Sequence, residues 1–122
     1  MTDQMSSEAL ARRIASVALD KKGSDVVVLD MREVVSYTDF LVLATGNTER
    51  QTKAIEDAIY QDLKHGDPRI TPARVEGATE ARWILMDYLD AVVHVFTPAA
   101  RDYYRLETLW GEVPALEVEQ TA

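Results

Sequence analysis

Apolar residues recur at helical spacing near the start of the chain. Leu10, Ile14, Val17 and Ala18 share one helical face, with Ser7 placed to cap the start and Lys21, Lys22 and Gly23 placed to end it. Two short runs follow, Val26-Val27-Val28-Leu29 and Phe40-Leu41-Val42-Leu43-Ala44. Each is apolar at consecutive positions and the first is wholly aliphatic, the pattern of a strand buried on both faces of a sheet. Gly46-Asn47 then breaks the chain, and Thr48 with Gln51 three residues on has the form of a capping box. The helix it opens presents Ile55, Ala58, Ile59 and Leu63 to the core, and Gly66-Asp67-Pro68 closes it. Three shorter strands are predicted around Ala73 to Glu76, Arg82 to Asp87 and Ala91 to Phe96. Thr97-Pro98 starts a last helix whose apolar side is Leu106, Leu109 and Trp110.

The predicted order is therefore α-β-β-α-β-β-β-α, an α+β (mixed α/β) domain with one mixed sheet and helices packed on it. A helix between the second and third strands requires some parallel pairing, whereas the last strands are close enough for hairpins. Residues 1–6 are expected to be a flexible N-terminus, 7–111 a single domain, and 112–122, with Glu112, Glu117 and Glu119, a disordered acidic tail.

Length and composition agree with this: 122 residues, 47% hydrophobic and 28% charged, suffice for one core. No run approaches the ~20 apolar residues of a membrane helix, and the N-terminus lacks the pattern of a signal peptide, so a cytoplasmic protein is expected. Cysteine is absent, which removes disulfides and thiolate chemistry. A formal net charge of −8 argues against phosphate contacts as the main source of affinity. It fits a basic protein partner, or simple solubility.

No reaction is legible in the residues. The Thr45-Gly46-Asn47 turn lacks the phosphate-binding glycine patterns, and Glu49 in the first helical turn would repel a phosphate. Asp30, Asp39, Asp87 and Asp90 fall near strand ends, but Asp87 and Asp90 are three apart and leave a strand on different faces. His65 and His94 have no ligand set at metal spacing, and no serine has a histidine signature beside it. No catalytic residue, metal or cofactor is expected, and the chain reads as a binder.

For a binder the useful pattern is Arg82 to Asp87, where Trp83, Leu85 and Asp87 point one way and Arg82, Ile84 and Met86 the other. Aromatic side chains make hot-spot contacts and carboxylates orient a basic partner, although alternation alone leaves Trp83 as interface or core. Tyr88 and Asp90 fall in the turn between strands and are expected to be exposed. Tyr103 and Tyr104 cannot share a helical face, so one packs and one is exposed.

These pieces, Asp39-Phe40, the Thr45 to Gln51 turn, Ala54-Ile55, the run Trp83 to Phe96, Arg101 to Glu107 and Leu109-Trp110, together resemble the ribosomal silencing factors of the Iojap family across roughly Leu10 to Pro114. The resemblance implies a sheet topology similar to nucleotidyltransferases without their Gly-Ser turn and alternate aspartates. It implies binding to the large ribosomal subunit through ribosomal protein number fourteen, a steric block to joining of the small subunit, repression of translation when nutrients are scarce, and a homodimer. The family's recurring residues fall on Asp39, Gly46, Gln51, Glu76, Gly77, Trp83, Asp87, Tyr88, Asp90, His94, Tyr104 and Trp110. Of these, Gly46 and Gly77 are expected to serve backbone geometry and Trp110 packing. The partner-facing set is expected to be Glu76, Trp83, Leu85, Asp87, Tyr88 and Asp90. Leu89 departs from the pattern, since many relatives carry glycine between Tyr88 and Asp90. The other readings are a divergent metal-dependent nucleotidyltransferase-like enzyme and a self-assembling scaffold.

Overall fold

The computed structural model describes residues 5–104, 113–116 and 118. Two helices, α1 (Ser7–Asp20) and α2 (Glu49–Lys64), lie on one face of a six-stranded mixed sheet. The strands are β1 (Ser24–Asp30), β2 (Phe40–Thr45), β3 (Arg74–Glu76), β4 (Trp83–Asp87), β5 (Ala91–Phe96) and β6 (Ala115–Leu116), in the order β3-β4-β5-β2-β1-β6. A short helix, α3 (Pro98–Tyr104), follows β5. The fold is thus the mixed α+β sheet with packed helices that the periodicity predicts.

Parallel pairing occurs where β2 meets β5, in the register Phe40↔Ala91 to Thr45↔Phe96. The helical crossover required a parallel partner for β2, and that partner is the fifth strand. The third instead turns back as a hairpin with β4 and forms the edge. β2 and β5 are buried at every position, which explains their almost wholly apolar sequences, interrupted only by Thr45 and His94.

Alternation along the strands sorts the core into two layers. Val28, Phe40, Val42, Ile84, Met86, Val93 and Val95 face the helices and meet Leu10, Ile14, Ile55, Ile59 and Leu63. Each fully buried aliphatic side chain there contributes about 1.5–3 kcal/mol. Leu29, Leu41, Leu43, Val92 and Phe96 face the other way, with Trp83, Leu85, Val27 and Ala100 against them. α3 therefore sits on the side opposite α1 and α2.

The helix ends show where local chemistry differs from its prediction. Ser6, not Ser7, caps α1, accepting from the Ala9 N–H at 3.1 Å. The left-handed residue after that helix is Lys22 at φ 67°, and the Gly23 N–H closes on the Ala18 carbonyl at 2.8 Å. Thr48 caps α2 as predicted, accepting from Gln51 N–H at 3.1 Å, and the Gln51 carboxamide reaches back to the Asn47 N–H at 2.7 Å. The same carboxamide donates to the Lys22 carbonyl at 2.9 Å, and Arg13 in the middle of α1 pairs with Asp62 at 2.7 Å, so α2 is tied at both its ends to α1 and the turn that follows it. On α2, Thr52 and Glu56 join Ile55, Ile59 and Leu63 among the buried residues, while Ala58 is half-buried.

The chain ends differ from their expected looseness wherever they are described. Met5 packs against the helix-side core, so residues 5 and 6 belong to the folded unit. Within the segment read as a disordered tail, Ala115–Leu116 pairs antiparallel with β1 and Leu116 and Val118 pack on the core. The edge of β1 supplies free backbone groups that an isolated pattern of two residues does not reveal. Leu106, Leu109 and Trp110, predicted to give the last helix its apolar side, lie outside the described residues.

Candidate functional site

The antiparallel registers β3–β4 and β4–β5 place residues of one parity on the sheet face that α1 and α2 leave open. Glu76 stands opposite Leu85, Leu85 opposite His94, and Trp83 opposite Phe96. Glu76, Trp83, Leu85 and Asp87, four of the six residues expected to face a partner, thus share one face. Trp83, Leu85 and Asp87 are half-buried and Glu76 is exposed.

Trp83 is the centre of this face. Its indole N–H donates to His94 Nδ1 at 2.8 Å, and its ring lies 5.8 Å from His94 and 5.9 Å from Phe96 by centroids. An indole nitrogen only donates, so Nδ1 must be the unprotonated acceptor and the imidazole carries its proton on Nε2. Burial pushes the His94 pKa down to about 4, which keeps the ring neutral. Beneath, the Arg101 guanidinium lies 5.7 Å from the Phe96 centroid and donates to the Asp25 carbonyl and Thr45 Oγ1, both at 2.7 Å. The indole is therefore neither wholly core nor wholly surface: one edge is fixed by His94 and the other borders open grooves. One, of about 420 Å³, runs between Trp83 and α3 past Tyr103 and Glu80. The other, of about 270 Å³, lies between Trp83, Leu85 and Glu76.

Charge on this face is mixed. Arg74 on the edge strand contacts Glu76 at 3.1 Å and Asp87 at 3.7 Å. Sequence reasoning missed this arginine, because only the strand register puts it across from Asp87. Asp87 also accepts the Leu89 N–H through Oδ1 at 2.8 Å, holding the β4–β5 turn.

That turn corrects one expectation. Tyr88 is only 5% exposed and packs in the helix-side layer, with its hydroxyl buried and unpartnered; it does not share the face of Trp83. Burial, and after it the nearby Glu56 and Tyr60, pushes the phenol well above its ordinary range. Parity is the reason: Tyr88 continues the helix-facing series of Ile84 and Met86. Asp90 is exposed as expected, and its carbonyl accepts the N–H groups of Asp39 and Phe40, both at 3.2 Å. Leu89 takes φ 70°, a left-handed conformation that costs a non-glycine residue about 1 kcal/mol or more and that glycine adopts freely. Tyr103 is 80% exposed; the side chain of Tyr104 lies outside the described residues.

The two glycines expected to serve geometry do so. Gly77 has φ 81°, and a Cβ there would stand 2.0 Å from the Trp83 carbonyl oxygen. At Gly46 a Cβ would meet the Thr52 backbone nitrogen at 2.8 Å. Of the four aspartates near strand ends, Asp30 is tied to Arg32 at 2.7 Å and Asp87 to the turn. Among the described residues no three of histidine, aspartate and glutamate come together as a metal-binding group, and no helix is long and apolar enough to cross a membrane.

Comparison with known proteins bears on this face. The family model described as "Ribosomal silencing factor during starvation" matches residues 4–122. The protein is 38% identical to the ribosomal silencing factor RsfS of Halalkalibacterium halodurans over 115 residues, covering 94% of this chain and 97% of that one. A mouse protein named mitochondrial assembly of ribosomal large subunit protein 1 is 28% identical over 98 residues, 80% of this chain and 43% of its own length. A crystal structure of a Chromobacterium violaceum protein superposes with a TM-score of 0.83 at 33% identity, covering 96% of this chain and 97% of that one. The chain belongs to the ribosomal silencing factor family, among whose relatives are the Iojap proteins.

Proposed function

We propose that this protein, acting in the cytoplasm, binds the large ribosomal subunit through ribosomal protein number fourteen and so keeps the small subunit from joining, lowering translation when nutrients are limiting. The observation that carries the reading is the sheet face opposite α1 and α2, on which Glu76, Trp83, Leu85 and Asp87 converge beside α3. A half-buried indole between two grooves, rimmed by Glu76, Glu80 and Asp87 with Arg74 and Arg82 set against them, suits a protein surface with apolar projections and basic groups that can compete for those carboxylates. The net charge of −8 favours approach to such a partner over direct contact with ribosomal RNA. The mechanism is occupancy of space and needs no chemistry from the chain. Homodimerisation belongs to the same proposal, as a second use of the chain's surface.

The test is sedimentation of purified ribosomal subunits under rejoining conditions, with and without the protein. The wild type is expected to travel with the large subunit and to reduce the joined particle. Glu76→Lys is expected to weaken that association on the order of tenfold while leaving the fold intact. Its side chain is 58% exposed and its pairing with Arg74 is a surface ion pair, so the loss of stability is below about 1 kcal/mol. Asp87→Lys is the less clean variant, because Asp87 also holds the turn at Leu89. A wild type that stays at the top of the gradient, with joining unaffected, overturns the reading.

A further inference from the structure

Among the described residues, four non-glycine side chains sit at positive φ: Lys22, Asp25, Ala81 and Leu89. Ala81 is buried, and Lys22 and Asp25 are polar. Leu89 alone combines that backbone cost with a large apolar side chain left 63% exposed, so burial of its side chain does not offset it. The turn does not require leucine. It is held by the Asp87 carboxylate on the Leu89 N–H and by backbone bonds from Tyr88 N–H to the Ala91 carbonyl at 2.9 Å and from Asp90 N–H to the Tyr88 carbonyl at 2.8 Å.

The surroundings extend the apolar surface. Because the Asp90 carbonyl accepts from Asp39 and Phe40, the loop between β1 and β2 is drawn to the same end of the sheet, and that loop leaves Val34 44% and Tyr37 61% exposed. Three of the four large exposed apolar side chains among the described residues thus occur on two loops joined at one sheet end. The same loops carry Glu33, Asp39 and Asp90, while Arg32 is turned back onto Asp30 at 2.7 Å. Apolar contacts interleaved with carboxylates complement a basic protein surface. They disfavour a second copy of this chain, which would set carboxylate against carboxylate.

We infer that Leu89, with Tyr37 and Val34 of the loop joined to its turn, forms a second docking edge for the basic ribosomal protein partner at the Asp87 end of β4. The inference rests on the ribosome-binding reading above. Leu89 acts as a contact residue of this chain at a position whose backbone suits glycine, exchanging local stability for affinity.

The experiment compares wild type, Leu89→Gly and Tyr37→Ser in binding to purified large subunits, alongside thermal melts and sedimentation velocity of each protein alone. Leu89→Gly is expected to melt at or above the wild-type temperature while binding about tenfold more weakly, and Tyr37→Ser to bind more weakly with an unchanged melt. Wild-type-like binding by Leu89→Gly overturns the inference, as does an effect confined to self-association. Failure of the wild type itself to bind large subunits removes the ribosome-binding reading and this inference with it, and the wild-type arm shows that independently of either variant.

Discussion

Replacing Gly77 with alanine is expected to cost roughly 3 kcal/mol of folding stability and to disturb the candidate face from behind. Two effects add. The left-handed φ of 81° alone costs a residue with a Cβ about 1–2 kcal/mol. The new methyl would also stand 2.0 Å from the Trp83 carbonyl oxygen, an atom of backbone that cannot swing aside. Relief requires the β3–β4 hairpin to open where it carries Trp83, adding a cost typical of overpacking. Urea unfolding of Gly77→Ala against the wild type measures the loss, and tryptophan emission reports whether the indole edge becomes wetter. A loss below about 1 kcal/mol would show that the turn relaxes and that the glycine is dispensable.

Acidification is expected to destabilise the domain by roughly 3 kcal/mol between pH 6.5 and pH 4, through His94. Its folded pKa, about 4, lies below its ordinary 6.5, so the unfolded chain takes up the proton first as pH falls. The stabilisation from a neutral buried ring is therefore complete above pH 6.5. It declines by about 1.4 kcal/mol per pH unit below that and levels off near pH 4. Protonation also deprives the Trp83 N–H of its acceptor, so tryptophan fluorescence should change along with stability. In His94→Gln the side-chain oxygen can still accept from the indole but does not titrate, and the pH dependence in this window should flatten. A His94→Gln variant with the wild-type slope would assign the acid sensitivity to other groups. The depressed carboxyl of Asp30, held by Arg32, acts only below its ordinary 3.8 and lies outside the window.

What was legible in the chain follows from the range of each interaction. Helices α1 and α2 and the fully buried β2 and β5 announce themselves because their patterns depend on neighbours within a few residues. The capping box at Thr48 and Gln51 is local as well. The open face was half legible: alternation put Trp83, Leu85 and Asp87 together, but their pairing with His94 and Arg74 depends on the strand register, which no short pattern encodes. Tyr88 was misplaced because it was read as part of a turn, whereas it keeps the strand's parity and ends beneath the helices. β6 was illegible for a related reason, since two residues become a strand only when β1 offers them an edge. The departure at Leu89 was visible from the resemblance, yet its meaning required the backbone conformation at that residue.

The unequal burial of the strands has a consequence for how the face behaves in time. β2 and β5 are paired on both sides and buried throughout, so their amide hydrogens exchange with solvent only when the whole domain unfolds. β3 has three residues, one neighbour and two exposed side chains, so its amides exchange through local opening that leaves the rest intact. The face is thus graded in rigidity, fixed under His94 and Phe96 and compliant at Glu76. A partner arriving there would find its aromatic contact already ordered and would pay for arrangement only at the rim.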